Sequence, residues 1–167
     1  MNRMNKRKRL LYLAQGGITA AAYTALTLVF SPISFGPVQV RIAEALSILP
    51  MFTKAAVPGL FIGCLLGNLL GGALILDVIF GSIATLIGAY LGYLFRKNRW
   101  LVPVPTVVSN TLIIPFILRY AYDVQLPVYL IVLYILGGEI LSSYLLGEVL
   151  GSFLLKHKRN LFEKENN

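Results

Sequence analysis

Eight charged residues stand apart from the basic clusters of this 167-residue chain: Arg41, Glu44, Lys54, Asp77, Arg119, Asp123, Glu139 and Glu148. Their surroundings decide what chemistry each could do. Glu139 follows Gly137-Gly138 well inside a long apolar run, where a carboxylate without a partner is costly. It reads as a ligand-binding group. Arg41 and Glu44 stand three apart, so a local i,i+3 ion pair and a binding role both fit them. Asp77 opens another apolar segment, where it could answer the helix dipole or read a ligand. Asn68 and Asn110, each inside an apolar run, could hydrogen-bond across helices or contact a ligand. Arg119 and Asp123 flank a short loop and read as solvated. Glu148, a turn or two from the end of the last apolar run, should meet the basic tail or a partner.

These groups do not assemble into an enzyme. The only histidine, His157, lies in the basic tail, so a Ser-His protease or a His-ligated metal site has no parts. No G-x-x-x-x-G-K-[ST] run is present to cradle ATP, and paired acidic motifs suited to Mg²⁺ are missing. No catalytic residue, metal or cofactor is expected. The single Cys64 cannot form an internal disulfide and reads as packing.

The elements that must position the polar groups follow from composition. Hydrophobic residues make up 57% of the chain and charged residues 13%, against about 25% charged in an ordinary soluble domain. That points to an all-α polytopic membrane protein, with room for roughly six spans of about 20 residues. The net charge of +8 lies in clusters beside apolar runs: Arg3, Lys6, Arg7, Lys8 and Arg9; Arg96, Lys97 and Arg99; Lys156, Lys158, Arg159 and Lys164. Such clusters mark the cytoplasmic side and leave no reason to invoke nucleic acid. The N-terminal apolar run is longer than a signal sequence and reads as an uncleaved first span.

Hydropathy gives spans near 10–30, 74–95, 104–120 and 126–155. The stretch 43–72 is ambiguous, and charge resolves it. An even number of crossings there keeps Arg96–Arg99 inside, so a short helix near 43–53 and another near 56–71 should turn at Lys54. The expectation is a single membrane domain, with residues 10–155 forming six helices. Residues 1–9 and 156–167 form cytoplasmic tails, and of the basic residues only Arg41 and Arg119 face out. The short second helix could be re-entrant. The last, at about 45 Å for 1.5 Å per residue, should tilt or project. There is no internal repeat to support an inverted-repeat transporter.

Glycines at i+4 spacing give three helices smooth stripes: Gly59, Gly63, Gly67 and Gly71; Gly88 and Gly92; Gly147 and Gly151. Such stripes let helix backbones approach closely in lipid. In the first helix Gly17, Ala21 and Ala25 repeat the spacing, either for internal packing or as a groove for another membrane subunit.

Four ordered blocks resemble the QueT family: Ser34–Leu46, which contains Phe35-Gly36-Pro37, Gln39 and Arg41; Leu76–Leu86; Val108-Ser109-Asn110; and Gly137-Gly138-Glu139. The resemblance implies a substrate-binding S component of an energy-coupling factor (ECF) importer. It implies six helices, a transmembrane coupling protein, two cytoplasmic ATPases and uptake by toppling of the S component. It also implies docking through Ala21 and Ala25, in a prokaryotic cell membrane. The implied cargo is a queuosine precursor, a 7-deazaguanine such as queuine or its aminomethyl precursor. One carboxylate can take the two adjacent N–H donors of its guanine-like edge. Glu139 is first for that role, then Glu44 or Asp77. Asn110, Gln39 or Arg41 would meet the ring oxygen, and Asp77 an aminomethyl cation. Phe35 or Tyr144 would cover the ring, with Phe35-Gly36-Pro37 as a lid. An S component for another vitamin or purine-like compound, a scaffold subunit and a self-sufficient facilitator are the alternatives.

Overall fold

The structure, a computed structural model, describes residues 6–35 and 39–161, with side chains through His157. Arg3, Gly36, Pro37 and Lys164, and the side chains of Lys158 and Arg159, lie outside the described residues.

Among the described residues every regular element is helical. Helix α1 (Lys6–Val29) and the single turn α2 (Ser31–Ser34) lead to a tight 3-10 segment, Ile42–Met51. Then follow α3 (Ala56–Leu70), α4 (Ile75–Leu94), a 3-10 turn (Arg99–Leu101) and α5 (Val104–Tyr120). The last stretch is one continuous rod of α6 (Val128–Glu139), a π segment (Ile140–Leu146) and α7 (Gly147–Leu161). The helices thus reach into both basic ends.

Three helical stretches are long and apolar enough to cross a membrane: Ile75–Leu94, Arg99–Tyr120 and Val128–His157. Large apolar side chains such as Leu69, Leu70, Leu112, Phe116 and Val149 are exposed on the outside, while Asn68, Asp77, Glu44, Glu139 and Ser47 lie inside. That inversion suits lipid rather than water as the surrounding medium. Helix α1 falls outside the group of three, because Gln15, Thr19, Thr24 and Thr27 dilute its apolar content. The segment Ile42–Met51 has ten residues, about 20 Å at 2.0 Å per residue in a 3-10 helix. It is too short for a core of about 30 Å, in line with the short second helix expected.

The glycines of α3 explain how α1 is seated. A Cβ at Gly59 would stand 2.7 Å from the Gly16 carbonyl, and one at Gly63 2.7 Å from the Tyr23 Cβ. One at Gly67 would meet Thr27 at 3.0 Å, and one at Gly71 the Phe35 ring at 2.6 Å. The pairs rise together in number, so α1 and α3 run parallel. Between them Ile42–Met51 runs back, from Glu44 beside Tyr23 to Thr53, whose hydroxyl donates to Gln15 Oε1 at 2.6 Å. Gly88 admits Thr106 of α5, and Gly92 the Val102 carbonyl just before that helix, each at 2.6 Å from a would-be Cβ. Gly151 admits Ile48 at 2.9 Å. The expected glycine packing is therefore present in α3, α4 and α7.

Candidate functional site

Polar side chains that cannot reach water gather where α1, the 3-10 segment, α3, α4, α5 and α6 meet. Glu44 is 1% exposed. Its Oε1 accepts from the Tyr23 hydroxyl and, at 3.5 Å, from Thr85 Oγ1. Cys64 Sγ lies at the centre. Thr85 Oγ1 stands 3.4 Å from it, and Arg41 Nη1 and Asn68 Nδ2 both stand 3.7 Å away. Asn110 Nδ2 donates to Glu139 Oε1 at 2.8 Å. Glu44 and Glu139 are near enough to feel each other's charge, with Arg41 beside both.

Toward the α3–α4 turn the cluster ends at Asp77. Helix α3 closes there with Gly72 in the left-handed region, φ 79°. Ala73 N–H bonds back to the Asn68 carbonyl at 2.9 Å, and Gly72 N–H to that of Leu69 at 3.4 Å. This closing motif holds Asn68 under the first turn of α4, where its Nδ2 donates to the Asp77 carbonyl at 3.3 Å. From the α5–α6 loop, the Tyr122 hydroxyl accepts from Leu74 N–H at 3.0 Å and donates to Asp77 Oδ2 at 3.1 Å. Burial raises the Tyr122 phenol above its ordinary pKa, against a lowering by the Leu74 N–H. It therefore stays a proton donor.

Most of the cluster is half-satisfied. Arg41 Nε and Nη2, Glu44 Oε2, Asn68 Oδ1, Asp77 Oδ1, Asn110 Oδ1 and Glu139 Oε2 are buried without a hydrogen-bond partner among the described residues. A buried polar group left so costs about 1–3 kcal/mol, and a concentration of them calls for an explanation. A polar ligand carrying both donors and acceptors would complete them.

Six residues expected at a site thus come together: Arg41, Glu44, Asn68, Asp77, Asn110 and Glu139. Gln39 is buried, and its carbonyl presses on the Cα of Gly138, where no Cβ could be placed. The Phe35 ring sits 5.7 Å from the Arg41 guanidinium. Tyr144 does not join them. It lines an open apolar hollow with Val104, Val107, Leu136 and Ile140. The π segment turns Ser142 and Ser143 inward, the latter 2.8 Å from Ser47 Oγ, and carries the next residue outward.

Other expectations also change. Arg41 and Glu44 form no ion pair within 4.0 Å among the described residues, because Arg41 precedes the 3-10 segment in extended backbone. Glu148 meets Arg99 rather than the tail, at 2.6 Å, with Ser152 Oγ 2.7 Å from the same guanidinium. Arg119 donates to the Val124 carbonyl at 2.9 Å. Gly17, Ala21 and Ala25 are exposed, and nothing stands within 4 Å of a Cβ at Gly17. Their stripe is not used for internal packing.

The family model described as QueT transporter matches residues 13–156. The chain belongs to the QueT transporter family. That family is one of transporters. A protein named queuosine precursor transporter QueT, from Lactococcus lactis subsp. cremoris (strain MG1363), is 39% identical over 79 residues. That match covers 46% of this chain and 46% of the relative, about half the length of each. No solved structure matches the chain.

The family match contains the whole polar cluster, including groups that inspection of charges alone passes over. Tyr23, Thr85, Cys64 and Tyr122 are ordinary residues in apolar helices and loops. A signal for Tyr23 was present in the i+4 series Thr19, Tyr23 and Thr27, which marks one polar edge of α1 opposite the exposed stripe. Thr85 lies in the Leu76–Leu86 block that resembles QueT proteins. Nothing in the sequence singles out Tyr122.

Proposed function

We propose that this QueT-family protein is the substrate-binding S component of an ECF-type importer, and that its cargo is a queuosine precursor built on a 7-deazaguanine ring. The observation that carries this reading is the convergence of buried, unpartnered donors and acceptors on Arg41, Glu44, Asn68, Asp77, Asn110 and Glu139. A guanine-type edge presents two adjacent N–H donors beside a carbonyl acceptor. Glu139 and Glu44 supply free carboxylate oxygens for the donors, and Arg41 supplies free N–H groups for the carbonyl. The half-buried Phe35 ring beside Arg41 would cover the flat face of the base. The name of the Lactococcus relative supports the substrate class.

In this reading the protein forms a single membrane domain that crosses six times, with both ends cytoplasmic. The alternating direction of its helices and the basic ends support that topology. A transmembrane coupling protein and two cytoplasmic ATPases supply the energy. The exposed Gly17, Ala21 and Ala25 face would receive the coupling protein, since small residues permit close helix contact in lipid. A scaffold subunit would have no use for half-satisfied carboxylates in its interior.

Thermal stabilisation of the detergent-purified chain tests the proposal, with queuine, its aminomethyl precursor, guanine and several vitamins as ligands. Binding to the folded state alone raises stability by mass action. A shift with the deazaguanines is expected. A shift only with another vitamin would replace the cargo, and no shift with any compound would overturn the binding-subunit reading.

A further inference from the structure

An open hollow of about 540 Å³ lies between α4 and α5 and shares no residue with the polar cluster. Ile87, Leu91 and Phe95 form one wall and Val104, Val108 and Leu112 the other, all of them exposed. Among the described residues Ser109 is its one polar lining side chain, and that hydroxyl donates to the Ala84 carbonyl at 2.9 Å. The hollow therefore asks nothing polar of an occupant. It also suits a helix poorly. Close helix contact in lipid relies on small residues, and Gly88 and Gly92 of α4 already face Thr106 and Val102. The outer walls carry branched and aromatic side chains instead, which admit a thin apolar chain. From Val104 to Ile113 the α5 wall measures about 14 Å at 1.5 Å per residue. That is close to half of a hydrocarbon core of about 30 Å, the depth of one leaflet.

One end of the hollow meets the loop that joins the two helices. Phe95 and Leu101, at either end of that loop, both line the hollow, so the run Arg96-Lys97-Asn98-Arg99-Trp100 lies at its mouth. Arg99 is neutralised by Glu148. Arg96 and Lys97 are exposed, and neither has a carboxylate within 4.0 Å among the described residues. Arg96 lies 4.3 Å over the Tyr93 ring and donates to the Tyr93 carbonyl at 3.1 Å, contacts that leave its charge in place. Trp100, 55% exposed, is of the residue type that settles at headgroup level.

We propose that this hollow binds one anionic phospholipid, with an acyl chain between Leu91 and Val108 and the phosphate-bearing headgroup on Arg96 and Lys97. An apolar slot one leaflet deep that ends in two uncompensated cations matches a molecule with an apolar tail and an anionic head. Lys and Arg beside a membrane surface favour such headgroups over zwitterionic ones. The site depends on the membrane location of the chain and not on the identity of its cargo.

Native mass spectrometry of the detergent-purified full chain, titrated with phosphatidylglycerol or with phosphatidylcholine of the same acyl chains, tests the site. Wild type should hold one phosphatidylglycerol about tenfold or more tighter than phosphatidylcholine, the scale expected of two cations. The double variant Arg96→Ala/Lys97→Ala should lose most of that preference. Val108→Trp, which fills the slot from an exposed position, should weaken both lipids. Lys8→Ala/Arg9→Ala, which removes two exposed cations from α1, should keep the preference and so controls for general charge attraction. Equal binding of the two lipids by wild type would overturn the proposal, as would an equal loss of preference in the two double variants. Unchanged lipid binding by Val108→Trp would overturn it as well and assign the hollow to a partner helix or a second copy. If Val108→Trp does not fold, Leu91→Trp on the facing wall takes its place.

Discussion

Asn110 on α5 holds Glu139 on α6 by one oxygen only. Its amide donates to Oε1 at 2.8 Å, while Oε2 is buried and unpartnered. The bond fixes the carboxylate between two helices and leaves one oxygen facing the other polar groups. Such an arrangement orients a charge without satisfying it.

Glu139→Gln keeps the shape of that side chain and removes its charge. Ligand affinity should fall about tenfold to a hundredfold, corresponding to about 1.5–3 kcal/mol for a hydrogen bond to a charged group. The empty protein should keep its stability, since the amide oxygen of Gln can still accept from Asn110. Titration and thermal unfolding of the same sample separate the two effects.

Tyr23→Phe should act in the opposite sense on stability. It leaves Glu44 Oε1 with only the long contact to Thr85 at 3.5 Å. A loss of about 1–3 kcal/mol is expected in thermal unfolding, together with weaker ligand binding as Glu44 loses its anchor. Unchanged stability would mean that Tyr23 does not restrain Glu44.

Two glycines of similar context should behave differently. Gly63→Ala drives a methyl to 2.7 Å from the Tyr23 Cβ and 2.9 Å from the Ala20 carbonyl, and overpacking of this kind costs about 1–3 kcal/mol. Gly17→Ala has open space and should shift stability by less than about 0.5 kcal/mol. Gly17→Leu should leave ligand binding intact and abolish uptake in cells, if the exposed stripe receives a coupling subunit. Uptake by the Leu variant at the wild-type rate would remove that role.

Arg99→Ala breaks the bond to Glu148, a residue 6% exposed, and also frees Ser152. A loss of about 1–3 kcal/mol is expected, less than for a fully buried pair because Arg99 itself is partly exposed. Arg96→Ala, in the exposed part of the same loop, should cost under about 0.5 kcal/mol. Thermal unfolding of the two variants at one ionic strength makes the comparison.

The six principal polar groups were legible because each is too polar for its apolar neighbourhood and so must turn inward. Tyr23 and Thr85 were not, since both residue types sit in helices as readily outside as inside. Tyr144 suits a cover for the ring by its aromatic type alone, and it lies in the π segment of residues 140–146, lining an apolar hollow. Of the two readings open for Arg41 and Glu44, the local ion pair is absent, because Arg41 lies before the helical segment that would align them. The short helix near 43–53 was legible in its length and position, while its 3-10 geometry carries no mark in the apolar pattern.

Helix α1 carries Tyr23 toward Glu44 on one side and Ala21 and Ala25 outward on another. Only one helix diameter, about 10 Å, separates the buried carboxyl group from the smooth outer face. Whatever clasps that face rests on the same rod that touches the acid. Under the proposed reading, cargo and coupling subunit would therefore meet opposite sides of one helix.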